Sequence, residues 1–233
     1  MRALLTQLPL AFNAYEEATF DNYYAGRNAE VVAHLKKVLD QQLAENSYLC
    51  SAQGLGRSHL LLAACRHADS QGMSSIYIPL LQSQSLTPDV LSELESISLI
   101  CIDDLQIISG KPEWEEALFY LYNRVQALGG RLIITANALP KEVKIFLPDL
   151  VSRLTWGMIY QLQGLQDDEK IHMLMMRAER RGMMLSEEVA RYILTHCPRH
   201  MSTLMTALDV LDKASLAAQR RLTIPFVKDV LQI

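Results

Sequence analysis

No apolar run in this chain approaches the roughly 18 to 20 residues that a membrane span requires, and the first residues show no secretory signal pattern. The expectation is a cytoplasmic protein without membrane contact. Cysteine is sparse: Cys50, Cys65, Cys101 and Cys197 are scattered through apolar segments with no Cys-x-x-Cys spacing, which reads as buried thiols rather than a metal knot. Basic charge is not in excess either. The 22 Lys and Arg against 26 Asp and Glu give a net charge of −4, which argues against a domain whose main work is gripping a nucleic-acid backbone. Two local clusters, Arg177 with Arg180 and Arg181, and Arg220 with Arg221, read as solvated helix ends. Repeats and low-complexity tracts are missing.

What is present is enough apolar sequence for a large core. Half of the 233 residues are hydrophobic, which suits one large domain or a medium domain with a small one attached. Residues 1–15 have the character of a tail, in which Gln7-Leu8-Pro9-Leu10-Ala11-Phe12 has no amphipathic period. Such a segment either docks in another protein's groove or folds back on its own domain. Asn28 is placed to cap a helix with Val31, Val32, Leu35, Val38, Leu39 and Leu43 on one face.

Tyr48-Leu49-Cys50 then leads into Ser51-Ala52-Gln53-Gly54-Leu55-Gly56-Arg57-Ser58, and helical spacing follows from His59 to near Gly72. Strand, glycine loop and helix is the unit that cradles phosphate, because backbone N–H groups and a free helix N-terminus converge on one anion. Its usual pattern is Gly-x-x-x-x-Gly-Lys-Ser/Thr. Here Ser51 replaces the first glycine and Arg57 the lysine, while Ser58 sits where a hydroxyl would touch magnesium.

The spacing next predicts a strand at Ile76–Ile78, a helix from Thr87-Pro88 to near Ser96, and a buried strand Ser98–Ile102 ending in Asp103-Asp104. A helix from Pro112 carries Trp114, Leu118, Leu121, Tyr122, Val125 and Leu128 inward. Arg131–Thr135 is another buried strand, which delivers Asn137 to the edge that holds the carboxylates. Strands alternating with helices imply a parallel, three-layer α/β sheet over residues 16–162. Helices expected to start near Asp167, Ser186, Met201 and Pro225 imply a small all-helical domain over 163–233, with Met173, Met175, Met176, Met183 and Met184 as packing residues.

An anion cradle, a carboxylate for magnesium and a polar group to orient a phosphate are the parts that nucleotide chemistry needs, and they occur in the right chain order. Arginine is bulkier than lysine and prefers bidentate contact, so diphosphate binding fits Arg57 better than vigorous hydrolysis. Asp104 is also a methylene shorter than glutamate for holding water. A further arginine, Arg153, lies in Leu147–Leu154 before Trp156-Gly157. On the residues alone, a local helix-end or carboxylate pair is its simpler role.

Thr19-Phe20-Asp21-Asn22-Tyr23, Gly54–Leu60, Ile102-Asp103-Asp104 and Ser152-Arg153-Leu154-x-Trp156-Gly157, in that order, resemble the AAA+ region of the bacterial replication initiator DnaA and of its regulatory homologues. The resemblance covers residues 17–233 and stops where the initiator would continue into a DNA-binding domain. It implies an AAA+ domain with a helical lid, holding a nucleoside diphosphate, ADP first among them, with Mg2+. Phe20, Asp21, Asn22 and Tyr23 would lie by the base, and Ser51, Gly54, Leu55, Gly56, Arg57, Ser58 and His59 by the phosphates. Ser58 and Asp103 would serve the metal, Asp104 would adjoin it, and Asn137 would be the first sensor. It implies that Gln7, Leu8, Leu10 and Phe12 bind the polymerase sliding clamp, and that Arg153 is an arginine finger acting in trans on the initiator. The second sensor arginine falls on Ser202, with Arg199 one turn earlier. The implied protein is a replication regulator with little ATPase activity of its own, a dimer or higher oligomer, and in touch with DNA only through the clamp. The competing readings are a self-contained oligomeric ATPase and a DNA-binding factor.

Overall fold

The computed structural model describes residues 18–81 and 86–233; the expected clamp-binding residues Gln7, Leu8, Leu10 and Phe12 lie outside them. Contacts divide the chain into two compact units that meet between Leu162 and Gln163.

The first unit is built on five parallel strands, β1 (Ser47–Cys50), β2 (Ser75–Pro79), β3 (Leu99–Asp103), β4 (Arg131–Ala136) and β5 (Met158–Gln161), in the order β2-β3-β4-β1-β5. Side chains alternate across each strand, so each of the central strands feeds two cores. Leu49, Leu99, Cys101 and Ile133 point to the side covered by α1 (Ala29–Asp40) and α2 (Arg57–Ser70), where Leu35, Leu39, Leu60 and Leu61 are buried. Tyr48, Ile100, Ile102, Leu132 and Ile134 point to the other side, covered by α3 (Pro112–Ala127) and the short α4 (Pro148–Leu154). Three layers result, as the alternation of elements implied.

The second unit contains α5 (Asp167–Arg180), α6 (Glu187–His196), α7 (Met201–Ala218) and α8 (Ile224–Leu231). Helix α5 opens with a capping box in which the Gln166 and Glu169 side chains each take the other's backbone N–H. Ser186 and Thr223 cap α6 and α8 through their hydroxyls. No described helix is long and apolar enough to cross a membrane.

Several local expectations change. The helix from Thr87 to Ser96 is only a 3-10 turn, Pro88–Leu91, because Leu91 is the single fully buried anchor and Ser92 already returns to extended backbone. Asn28 takes the cap position of α1 but makes no capping bond; its amide instead reaches the Tyr23 hydroxyl at 3.5 Å. Leu43 falls beyond α1, after Gln42 turns to positive φ. Leu128 is 67% exposed because α3 ends one residue earlier. Met184 is exposed and Cys197 half-buried, so neither is a core side chain.

The junction of α4 and β5 depends on one close approach. A Cβ at Gly157 would lie 2.3 Å from the Asn46 carbonyl oxygen, to which Met158 N–H donates at 3.0 Å. Backbone cannot yield as a side chain can, so Gly157→Ala is expected to lower unfolding free energy by about 3 kcal/mol in denaturant titration. Gly54→Ala, at φ +82 but in open space, is expected to cost about 1 kcal/mol.

Candidate functional site

Parallel strands place all their C-terminal ends on one edge of the sheet. Cys50 there runs into the glycine loop, Asp103 ends β3, and Asn137 follows β4. Gly54 and Gly56 both adopt positive φ, and Gly56 delivers the chain into α2 with no side chain capping that helix. The first-turn N–H groups of a helix have no partners within it, so an uncapped, glycine-entered N-terminus offers donors that an anion could take.

Arg57 does not extend over the loop. It is buried, donates from Nη1 to the Ser51 carbonyl at 2.8 Å, and donates from Nη2 to Asp104 Oδ1 at 2.7 Å. The same Oδ1 accepts from Gln106 Nε2 at 2.9 Å, and Gln106 Oε1 accepts the Asn137 backbone N–H at 3.1 Å. Asp104 has left-handed backbone, φ 61 and ψ 52, which aspartate tolerates better than most residues. It is thus a counter-ion to Arg57 with one oxygen doubly occupied.

Asp103 is buried, and both its oxygens accept hydroxyl hydrogen bonds, Oδ2 from Tyr77 at 2.7 Å and Oδ1 from Thr135. Thr135 Oγ1 also accepts the Asp104 N–H at 3.1 Å. The Tyr77 hydroxyl is hydrogen-bonded to Ser58 as well, and burial first, then the Asp103 charge, holds its pKa far above the ordinary tyrosine value. Ser58, Tyr77 and Asp103 therefore form one connected chain. A carboxylate has lone pairs beyond two hydrogen bonds, and magnesium commonly takes few protein ligands beside phosphates and water. The Ser58 and Asp103 donor set fits that ion. Among the described residues no cluster of three His, Cys, Asp or Glu could hold a metal by itself.

On the expected base side, Tyr23 and His59 stand together, ring centroids 5.4 Å apart, and Tyr23 lies against Gly56 so closely that a Cβ there would sit 2.8 Å from Tyr23 Cε2. Thr19 and Asn22 exchange two backbone-to-side-chain bonds, and the His59 ring meets the Thr19 carbonyl at 3.0 Å. Phe20 instead enters the core, edge-on to His67, while exposed Asp21 pairs with Lys36 at 3.3 Å. Ser51 is buried, Leu55 half-buried and Asn137 exposed.

Arg153 is on the opposite edge. It ends α4 just before β5, its guanidinium is 5.1 Å from the centre of the exposed Trp156 ring, and with Tyr122 it lines a crevice at Asn46 and Ser47, where β1 begins. In the second unit Arg199 pairs with Asp167 at 2.8 Å and Ser202 is exposed in the first turn of α7. Arg181, which also pairs with Asp209, joins Arg220 and Arg221 around a surface cavity of about 400 Å3.

Two profiles match this chain: that of the bacterial DnaA ATPase domain over residues 15–161, and that of the Hda lid domain over residues 167–231. The chain belongs to the DnaA family of AAA+ proteins, with a lid of the Hda kind. Among solved structures, domain III of the replication initiation protein DnaA from Thermotoga maritima is 19% identical at a TM-score of 0.77, over 93% of this chain and 96% of that one. AMPPCP-bound DnaA from Aquifex aeolicus is 22% identical at 0.75, over 85% of this chain and 66% of that one. The Thermotoga maritima RuvB branch-migration motor is 13% identical at 0.70, over 94% and 72%. At these identities the likeness is one of fold.

Tyr77, Thr135 and Gln106 were missed in the sequence. Their signal was a polar residue near the C-terminal end of an otherwise apolar strand, or three residues past one.

Removing one member of a buried ion pair leaves a charge unmatched. Asp104→Ala is therefore expected to destabilise the first unit by about 3 kcal/mol in denaturant titration, and the double change with Arg57→Met to recover most of it. Burial raises the Tyr23 hydroxyl to about 12, opposed in part by Asn28. A folded pKa above the unfolded value near 10 gives stability that is complete below pH 10 and lost as pH rises toward 12. Tyr23→Phe should make the alkaline fall in stability shallower over that window.

Proposed function

We propose that this chain regulates replication initiation by inserting Arg153 beside ATP held on a DnaA-family initiator and accelerating its hydrolysis. The observation that carries this reading is the placement of Arg153. It stands at the N-terminal edge of the sheet, whereas the chain's own glycine loop and carboxylates are at the C-terminal edge. Strands of four residues separate those edges by about 13 Å, so the guanidinium serves a nucleotide on another molecule. The Trp156 ring, 5.1 Å from the guanidinium carbon, covers one side of it.

The chain's own site is a nucleotide-holding site. Gly54 to Ser58 and the start of α2 receive the phosphates, with Tyr23 and His59 on the base side, and a nucleoside diphosphate is the ligand that suits it, ADP first. Ser58 and Asp103 would hold Mg2+, which when bound neutralises phosphate charge. Arg57 and Asp104 satisfy each other, leaving Asp104 poorly disposed to activate water, so weak hydrolysis is expected. The segment containing Gln7, Leu8, Leu10 and Phe12 tethers the protein to the DNA-loaded sliding clamp, so the finger is presented after replication has begun. Side-by-side assembly through the Arg153 edge, as a homodimer, would hide the finger at rest.

In a reaction containing loaded clamp and initiator-bound ATP, Arg153→Ala should lower the rate of ADP formation by a factor on the order of a thousand or more. Gln7→Ala should lose the clamp dependence of that rate. Full stimulation by Arg153→Ala would remove the finger assignment, and unimpaired Gln7→Ala would remove the tether.

A further inference from the structure

We infer that Glu115 is a positioning residue for Arg153, a proposal that rests on the finger reading above. Glu115 is 1% exposed in the first turn of α3, and its carboxylate accepts three backbone N–H groups. Oε1 takes Gly110 at 2.7 Å, and Oε2 takes Phe146 and Leu147, each at 2.9 Å. A first-turn acid gains from its own helix's dipole, yet two of these donors belong to a loop more than 30 residues away. That loop leads directly into α4, and Leu147 is the residue at its N-cap.

The hold on this loop is reinforced nearby. Ser109 Oγ donates to the Lys144 carbonyl at 2.5 Å, and the Phe146 ring packs against Gly110, 3.4 Å from where a Cβ would stand. Gly110 has φ +78, a backbone conformation that selects glycine. Helix α4 is only seven residues long, with Leu150 and Leu154 buried against the sheet. Those leucines fix its distance from the sheet. Glu115 fixes where the helix begins, and Arg153 is six residues further along a rigid rod, about 9 Å away.

Glu115 also joins the segments that follow β3 and β4. Gly110 follows the chain that leaves Asp103 and Asp104 through the turn Leu105–Ile107, in which Gln106 touches both Asp104 and Asn137. One carboxylate thus ties the loop descending from the nucleotide edge to the loop that starts the finger helix.

The experiment measures stimulation of initiator-bound ATP hydrolysis as a function of protein concentration for wild type, Glu115→Ala, Glu115→Gln and Arg153→Ala. Val125→Ala, at the far end of α3, serves as the control for lost stability. Fluorine NMR of protein carrying 5-fluorotryptophan at its two tryptophans reports the Arg153–Trp156 contact, with Trp156 assigned through Trp156→Phe. Displacing a catalytic group by about 1 Å can cost 100-fold, so Glu115→Ala should lower the maximal rate about 10- to 100-fold without changing half-saturation. Its Trp156 resonance should move toward that of Arg153→Ala. Glu115→Gln keeps one acceptor oxygen and should lose about threefold; it carries the test if the alanine variant does not fold. Wild-type rate and an unmoved Trp156 resonance in the glutamate variants, or an equal loss in Val125→Ala, overturns the proposal. If wild type itself shows no Arg153-dependent stimulation, the finger reading falls, and the Trp156 resonance still decides whether Glu115 holds Arg153.

Discussion

A parallel sheet covered on both faces constrains everything else in the first unit. Each connection must leave a strand at one edge and return at the other, so residues just after strands gather on one side and residues just before them gather on the opposite side. The glycine loop, Asp103, Asp104 and Asn137 all follow strands. Arg153 precedes one. Their separation is therefore a consequence of chain direction, and it removes Arg153 from the chain's own glycine loop before any partner is considered.

The arginines at the two edges have different surroundings. At the edge that holds the glycine loop Arg57 and Asp104 neutralise each other, and Gln106, Thr135 and Tyr77 make further polar contacts with Asp103 and Asp104. Such a pair costs desolvation that its attraction only partly offsets, so it contributes geometry more than stability. At the other edge Arg153 pairs with an aromatic face and stays accessible. An arginine neutralised within its own domain is suited to holding a loop in shape, and one left on a ring is suited to meeting an anion from outside.

Much of the fold was legible because its signals are local. The runs Leu99-Ile100-Cys101-Ile102 and Leu132-Ile133-Ile134 are too apolar and too short to be anything but buried strands, and Gly54 with Gly56 marks the loop by conformational need. What stayed hidden depends on neighbours distant in sequence. Tyr77 meets Asp103 only because β2 and β3 pair in parallel register, which no spacing within either strand encodes. Phe20, which the resemblance puts by the base, packs in the core edge-on to His67, a neighbour 47 residues on that its own stretch does not encode. The stretch Thr87–Ser96 had a good helix start and failed because only Leu91 finds a buried place.

Single-turnover hydrolysis of labelled ATP decides which molecule's nucleotide Arg153 serves. Label would be preloaded either on the initiator or on this chain, with the other partner carrying unlabelled nucleotide, for wild type and Arg153→Ala. Action of Arg153 in trans predicts rapid release of label from the initiator that is lost with Arg153, and slow release from this chain that is the same in both proteins. Rapid, Arg153-dependent release of label from this chain, with none from the initiator, would contradict it.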